Sequence, residues 1–132
     1  MPEMTILAFD FGLKKIGVAL GNTFLKEAQP LEIIRTQTKD ARFAAIADLI
    51  KKWEPGLLIV GLPLTEAGEE QFASGHARRF ANQLQGRFNL PVELVDERGS
   101  SMEAQQRLAK NIDEDAVAAA IILERYFSRP LS

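Results

Sequence analysis

The sequence contains no cysteine and one histidine, His76. The absence of cysteine excludes disulfide bonds, thiolate nucleophiles and cysteine-based metal sites. A histidine-based triad is possible only through His76, and a histidine-rich zinc site is excluded. Carboxylates are therefore the plausible metal ligands of this chain, and oxygen ligands favour hard cations.

An excess of positive charge and long apolar segments are also missing. The formal net charge is -2, so any contact with nucleic acid must come from local basic patches. No apolar run approaches the roughly 18 residues of a membrane span, and the N-terminus lacks a basic segment followed by an apolar signal core. We therefore expect a soluble, cytoplasmic protein that makes no membrane contact.

The composition is that of an ordinary globular protein, with 46% hydrophobic and 26% charged residues among 132. A chain of this length can bury roughly two-thirds of its unfolded surface in one domain. We expect a single domain over residues 1–132.

The apolar pattern predicts an α/β fold. The first strand is apolar on both faces, which is typical of a central strand with helices packed over both sides of a sheet. Pro30 places the third strand at an edge, because proline cannot donate to a ladder. The predicted elements are strands at 4–11, 15–22 and 27–36, a helix at 38–53, a strand at 57–62, a helix from about 69 to 88, a strand at 91–97, a short helix around 102–110 and a final helix at 116–127. This order predicts a mixed five-stranded sheet in which three antiparallel strands are followed by two parallel ones.

The second helix is predicted to bury one apolar stripe. Arg78, Arg79 and Arg87 lie off this stripe and should be solvated. The residues of the stripe are Phe72, Ala73, Ala77, Phe80, Ala81, Leu84 and Phe88.

Asp10 is the one carboxylate within the apolar first strand. It shares a face with Ile6 and Ala8. A buried charge without a partner is costly enough that the group usually protonates, pairs with a cation or binds a metal. The alternative is a hydrogen-bonded turn carboxylate before Gly12.

Two further groups of acids end a strand and begin a helix. Asp96 and Glu97 end the strand at 91–97, and Asp113 and Asp115 lie with a glutamate at the start of the final helix. Sites in open sheets gather beyond the carboxyl ends of parallel strands, so acids distant in sequence could meet there. Two Mg²⁺ or Mn²⁺ ions about 3.5–4 Å apart, held by acids alone, can cleave a phosphodiester.

Each of these residues also has a plain structural interpretation. Asp96 and Glu97 could be solvated residues at a strand end, and acids in a first helical turn favour the helix dipole by about 0.3–1 kcal/mol each. His76 is expected to be solvated or partly packed. Lys14 and Arg78 belong to basic pairs that could hold phosphates or simply face solvent.

The pattern Asp-x-Gly-x-x-x-x-Gly that begins at Asp10 also resembles the first phosphate-binding hairpin of the actin, Hsp70 and sugar-kinase ATPases. Those proteins enclose a nucleotide between two such lobes, and 132 residues cannot supply both. The pattern therefore favours the ribonuclease-H-like core that these proteins share.

A set of motifs over residues 4–127 resembles the bacterial YqgF family. The motifs are Ala8-Phe9-Asp10-Phe11-Gly12, Lys14, Ile16-Gly17-Val18-Ala19, Ile59-Val60-Gly61-Leu62-Pro63-Leu64, Gly68, Glu70, Arg78-Arg79-Phe80-Ala81, Asp96-Glu97-Arg98, and Asp115 with Ala119-Ala120-Ile121-Ile122-Leu123. The family is described as pre-16S ribosomal RNA nucleases and as Holliday-junction-resolvase-like proteins with a ribonuclease-H-like fold. The resemblance implies catalytic metal ligands at Asp10, Glu97 and Asp115, and two Mg²⁺ or Mn²⁺ ions.

The candidate substrate-binding residues are Lys14, Arg78 and Arg98. The chain departs from the family after Arg98, where Gly99-Ser100-Ser101 replaces the usual leucine and hydroxyl residues, and where the segment before Asp115 is short and lacks a basic loop. Fewer cations in that segment should weaken the attraction of phosphates.

The leading hypothesis is a metal-dependent nuclease that acts on structured RNA, in 5′-end processing of pre-16S ribosomal RNA and in association with the pre-ribosome. One alternative is a dimeric resolvase of branched DNA. The other is a catalytically silent nucleic-acid-binding module.

Overall fold

A computed structural model describes residues 4–35, 38–65, 67–97 and 114–128, apart from the side chains of Glu114 and Asp115. Its strands are β1 (Thr5–Phe11), β2 (Lys15–Asn22), β3 (Glu27–Arg35), β4 (Leu57–Leu62) and β5 (Val92–Asp96). Its helices are α1 (Lys39–Trp53), α2 (Phe72–Phe88) and α3 (Glu114–Ser128).

The strands form one five-stranded sheet in the order β3-β2-β1-β4-β5. The pairs β1/β2 and β2/β3 are antiparallel, whereas β1/β4 and β4/β5 are parallel. The predicted mixed sheet of three antiparallel and two parallel strands is therefore confirmed.

Strand β1 is the centre of the sheet and is covered on both faces. Its residues Ile6 to Phe9 are fully buried, and successive side chains of a strand point to opposite faces. Leu7 and Phe9 pack on the face covered by α1 and α2. Ile6 and Ala8 pack on the face covered by α3. The two helical layers agree with the prediction. Because side chains alternate along a strand, Asp10 belongs to the same face as Ile6 and Ala8, which α3 covers.

Strand β3 lies at the edge of the sheet, as Pro30 predicted. The register with β2 shifts between Val18 and Ala19, and Ala19 is the residue opposite Pro30. Because proline has no N–H, an edge position with a local irregularity is where it can be accommodated.

Helix α2 begins at Phe72, about three residues later than predicted. The preceding residues instead form a turn, in which the Thr65 amide donates to the Glu69 carbonyl and Leu64 bridges to Glu70. A capping box then starts the helix, in which the backbone N–H of Gln71 donates to Ser74 Oγ over 2.9 Å.

The prediction that Phe72 and Ala73 belong to the buried stripe is wrong. Phe72 is 85% exposed, and Ala73 is exposed as well. The buried face of α2 starts at Ser74, whose hydroxyl donates to the Pro63 carbonyl, so the first turn extends past the apolar core. The Phe72 ring instead contacts the half-buried His76 edge to face, with ring centres 4.8 Å apart.

The predicted helix at 102–110 lies outside the described residues, as do Arg98, the Gly99-Ser100-Ser101 segment and Asp113. In the part of the chain that is described, no helix is long and apolar enough to cross a membrane.

Candidate active site

Asp10 and Glu97 lie at the same edge of the sheet. Asp10 is the penultimate residue of β1, and Glu97 directly follows β5. Because β1, β4 and β5 run parallel, their carboxyl ends meet at one edge. The Glu97 amide donates to the Leu62 carbonyl over 3.1 Å, which continues the β4–β5 ladder by one residue. The fold thus brings together two of the three predicted acids.

Gly61 on β4 makes room for the Glu97 side chain. Phe9 pairs with Val60, so Gly61 is level with Asp10, one step further along both strands. A Cβ atom at position 61 would lie 2.6 Å from Glu97 Oε2 and 2.5 Å from the Cδ1 atom of Ile122. The Glu97 carboxyl group therefore lies over β4, beneath α3.

This position lets Glu97 reach Asp10 across a whole strand. Neighbouring strands are about 4.8 Å apart, so β1 and β5 are separated by roughly twice that distance. A hydrogen bond nevertheless joins the side chains of Asp10 and Glu97, and it helps to raise the pKa of Glu97. The missing side chain at Gly61 is what permits this contact over the sheet.

The electrostatics of the pair favour a proton or a cation between the two carboxyl groups. Burial of Glu97 and the negative charge of Asp10 raise the pKa of Glu97 to about 9, and Asp96 adds to this effect. Two carboxylates that share a site repel each other when both are ionised. At neutral pH the pair therefore retains one proton, which a bound cation could replace.

Arg125 on α3 is a neighbour of this pair that the sequence analysis missed. Its Nη1 atom donates to the Asp96 carbonyl over 3.1 Å, and its positive charge acts to lower the pKa of Glu97. This contact ties α3 to the end of β5, directly before Glu97. In the sequence, Arg125 is only a basic residue in the last turn of a helix. A favourable interaction with the helix dipole is enough to explain a basic residue at that position.

Lys14 lies in the turn between β1 and β2, close to Asp10. It is exposed, and it lines a shallow depression of about 400 Å³ together with Asp10 and the rest of the segment 10–15. The structure thus places this candidate phosphate-binding residue beside the acid pair.

Arg42 on α1 is a second residue that the sequence analysis missed. Its Nη2 atom donates to the Leu13 carbonyl over 3.2 Å. Its Cζ atom lies 5.1 Å from the centre of the Phe11 ring. Arg42 therefore sits against the same turn that carries Lys14. No sequence pattern could show this, because 29 residues separate Arg42 from Leu13.

The other predicted site residues have different surroundings. Arg78 Nε and Nη2 donate to the two carboxyl oxygens of Glu70 over 2.7 and 3.2 Å, so this exposed guanidinium is engaged in an ion pair. Arg98 lies outside the described residues. Asp115 is the second residue of α3, but its side chain is also outside them.

The donor chemistry of the site fits a divalent cation. Asp10 and Glu97 offer only carboxyl oxygens, which Mg²⁺ and Mn²⁺ prefer. Within the described ranges no group of three or more histidine, cysteine, aspartate or glutamate ligands occurs. The pair provides two of the expected ligands, and the third expected ligand is the side chain of Asp115.

The sheet order, the two helical layers and the acids at the carboxyl edge are those of a nuclease with a ribonuclease-H-like fold. A family model described as "RuvX: Holliday junction resolvase" matches residues 4–129, and the chain belongs to this family of nucleases. The resemblance inferred from the motifs is thereby confirmed.

Relatives in the family carry a common name. A protein of Bordetella parapertussis named "Putative pre-16S rRNA nuclease" is 64% identical over 126 residues, which cover 96% of this chain and 95% of that protein. A protein of Cupriavidus necator with the same name is 53% identical over 125 residues, covering 95% of this chain and 89% of its own length.

Solved structures support the fold. RuvC of Thermus thermophilus has a TM-score of 0.59 at 15% identity and covers 94% of both chains. The fowlpox virus Holliday junction resolvase has a TM-score of 0.58 at 16% identity and covers 94% of this chain and 98% of its own. At these identities the similarity establishes the ribonuclease-H-like architecture.

Proposed function

We propose that this protein is a metal-dependent nuclease that hydrolyses phosphodiester bonds during 5′-end processing of pre-16S ribosomal RNA. The observation that carries the proposal is the hydrogen-bonded Asp10–Glu97 pair, with the pKa of Glu97 raised to about 9 at the carboxyl edge of the sheet. The name of the Bordetella parapertussis relative supports RNA as the substrate. A cytoplasmic location and association with the pre-ribosome belong to this proposal.

Asp10, Glu97 and Asp115 would hold the metal, which we propose to be two Mg²⁺ or Mn²⁺ ions. Ions held there would supply an activated water and would stabilise the charge of the leaving oxygen. We propose that Lys14 and Arg98 contact substrate phosphates. Arg78 could do so only by breaking its ion pair with Glu70.

The residues around the acids prepare the site. For both carboxylates to hold a cation, the proton between Glu97 and Asp10 would have to leave to solvent. Gly61 leaves the space in which Glu97 reaches Asp10. Arg125 holds the Asp96 carbonyl and offsets part of the negative charge near Glu97. These contacts support the proposal that the two carboxylates are positioned for a cation before substrate arrives.

Cleavage of branched DNA is the second candidate. The family description names a Holliday junction resolvase, which favours it. A resolvase cuts paired, symmetric strands and should therefore be a stable dimer. The measurement that separates the two candidates is cleavage of a four-way junction, together with the oligomeric state in solution.

The test is to incubate the purified protein with a ribosomal RNA precursor and with a four-way DNA junction, in Mg²⁺, in Mn²⁺ and in chelator. We expect metal-dependent cleavage of the RNA, abolished in Asp10→Asn without unfolding. Asp48→Asn is the matched control, because Asp48 is an exposed acid on α1 and the charge change is the same. Full activity in Asp10→Asn would overturn the mechanism.

A further inference from the structure

We propose that the phosphate backbone of the substrate lies across the β1–β2 turn and the start of α1, where Lys14 and Arg42 bind it. This surface is at the β1–β2 half of the sheet edge, beside Asp10. The inference rests on the proposed function, because it takes a nucleic acid as the ligand. It adds Arg42 as a binding residue on the β1–β2 side of the acid pair.

Arg42 is held in place before any ligand arrives. The Leu13 carbonyl accepts a hydrogen bond from Nη2 over 3.2 Å, and the Phe11 ring lies under the guanidinium at 5.1 Å. A guanidinium has five N–H donors, and the bond to Leu13 uses one of its nitrogens. Because the group is already oriented by stacking and by this bond, it loses little freedom when it also binds a phosphate.

The same bond joins Arg42 to the turn that carries Lys14. The carbonyl that accepts from Arg42 belongs to Leu13, the residue directly before Lys14. Lys14 also lines the depression that contains Asp10, and Asp10 is the one acid among the residues that line it. Lys14 thus borders the proposed cleavage site, and Arg42 contacts the same turn from α1. A phosphate bound by Lys14 would lie close to Asp10.

Arg78, on the other side of the acid pair, offers a phosphate a weaker attraction than an unpaired cation would. The exposed Arg78 on α2 donates two hydrogen bonds to Glu70, so its charge is balanced by a neighbouring carboxylate. The hydrogen bond and the charge of Arg78 lower the pKa of Glu70, which keeps this carboxylate ionised and the pair intact at neutral pH. With a net charge of -2 on the whole molecule, the local excess of cations decides where a phosphate binds.

The binding experiment uses fluorescence anisotropy with a labelled single-stranded RNA and a labelled four-way DNA junction, in chelator, over a series of salt concentrations. Each lost phosphate contact should reduce the slope of log affinity against log salt by about 0.7 for the single strand and about 0.9 for the duplex arms. We expect this reduction in Lys14→Ala and in Arg42→Ala. Arg42→Lys keeps the charge and should retain most of the slope while binding more weakly.

Arg79→Ala is the matched control, because Arg79 is an exposed cation on α2 and the variant loses the same charge. Its slope should equal that of the wild type. The proposal is overturned if Lys14→Ala and Arg42→Ala keep the wild-type slope, if Arg79→Ala loses as much, or if the wild type binds neither probe. The measurement needs no cleavage, so it fails or succeeds separately from the nuclease assay. If Arg42→Ala disturbs folding, Lys14→Ala still tests the proposal, because Lys14 is exposed in a turn.

Discussion

Two carboxyl groups in this protein make close contacts of opposite kinds. Glu70 meets Arg78 at the surface, where the hydrogen bond from the guanidinium lowers the pKa of the carboxyl group. Glu97 meets Asp10 at the carboxyl edge of the sheet, where burial and the second acid raise its pKa to about 9. One contact joins unlike charges at the surface, and the other joins two acids, with a proton between them at neutral pH, beneath a helix.

The difference shows which contact marks a functional site. An exposed ion pair is satisfied by its own two members and contributes little to stability. A buried pair of acids is unfavourable when both are ionised, and only a proton or a cation relieves the repulsion. The fold maintains this unfavourable pair with Gly61 and Arg125 around it. Such repulsion between carboxylates is expected at a functional site, where a bound cation would neutralise it.

The largest effect that separates the two contacts should be the dependence of stability on pH. In metal-free protein Glu97 keeps its proton up to about pH 9 when folded, but loses it above its ordinary pKa of 4.5 when unfolded. The unfolded chain then binds fewer protons, so the free energy of unfolding should fall as pH rises through this window. The fall is at most about 1.4 kcal/mol per pH unit.

Urea denaturation in chelator at pH 6 and pH 8 measures this fall. Glu97→Gln should remove most of it and be more stable than the wild type at pH 8, although it loses metal-dependent cleavage. Glu70→Gln is the control, and it should keep the wild-type pH dependence. An unchanged pH dependence in Glu97→Gln would show that the Asp10–Glu97 contact is not the source.

A smaller but specific effect is expected from Gly61→Ala. The added methyl group would meet Glu97 Oε2 and Ile122 Cδ1, so it should displace the carboxyl group or the helix. Overpacking typically costs about 1–3 kcal/mol. Changes to the groups that orient metal ligands typically lower metal affinity or activity about 10- to 100-fold, and we expect a loss of this size in Gly61→Ala.

Metal titration by calorimetry and cleavage kinetics measure the effect of Gly61→Ala. Gly86→Ala is the matched control, because a Cβ atom at position 86 on α2 would meet nothing within 4 Å. Alanine in a helix interior should be neutral or stabilising there. Equal metal affinity in Gly61→Ala and the wild type would contradict the role given to this glycine.

The smallest effect is expected from breaking the surface pair. Arg78→Ala and Glu70→Gln should leave the urea midpoint at pH 7 and the metal affinity unchanged, because both groups are exposed and solvated. The measurement is the same denaturation and titration series. A loss of metal binding in either variant would mean that the two contacts are coupled, and the contrast between them would no longer hold.

Much of the architecture could be predicted from the sequence. The two-sided apolar pattern of β1 indicated a central strand, and Pro30 indicated an edge. Both signals are local, because the apolar side chains of β1 and the missing N–H of Pro30 are properties of the residues themselves. The start of α2 was misplaced because apolar periodicity cannot show that a turn and a capping box at Gln71 come first. For the same reason Phe72 was assigned to a core that it does not reach.

The candidate site also has features that the sequence predicts and features that only the tertiary structure shows. The sequence alone determined which acids were available and indicated that Asp10 lies on the central strand while Glu97 ends a later one, because these features depend on residue type and on the apolar pattern. Only the tertiary structure decided that Glu97 crosses over Gly61 to Asp10, that Arg125 of α3 binds the residue before Glu97, and that Arg42 of α1 contacts the β1–β2 turn. These contacts join residues far apart in the chain, and they depend on the spacing between strands and helices, which no local pattern records.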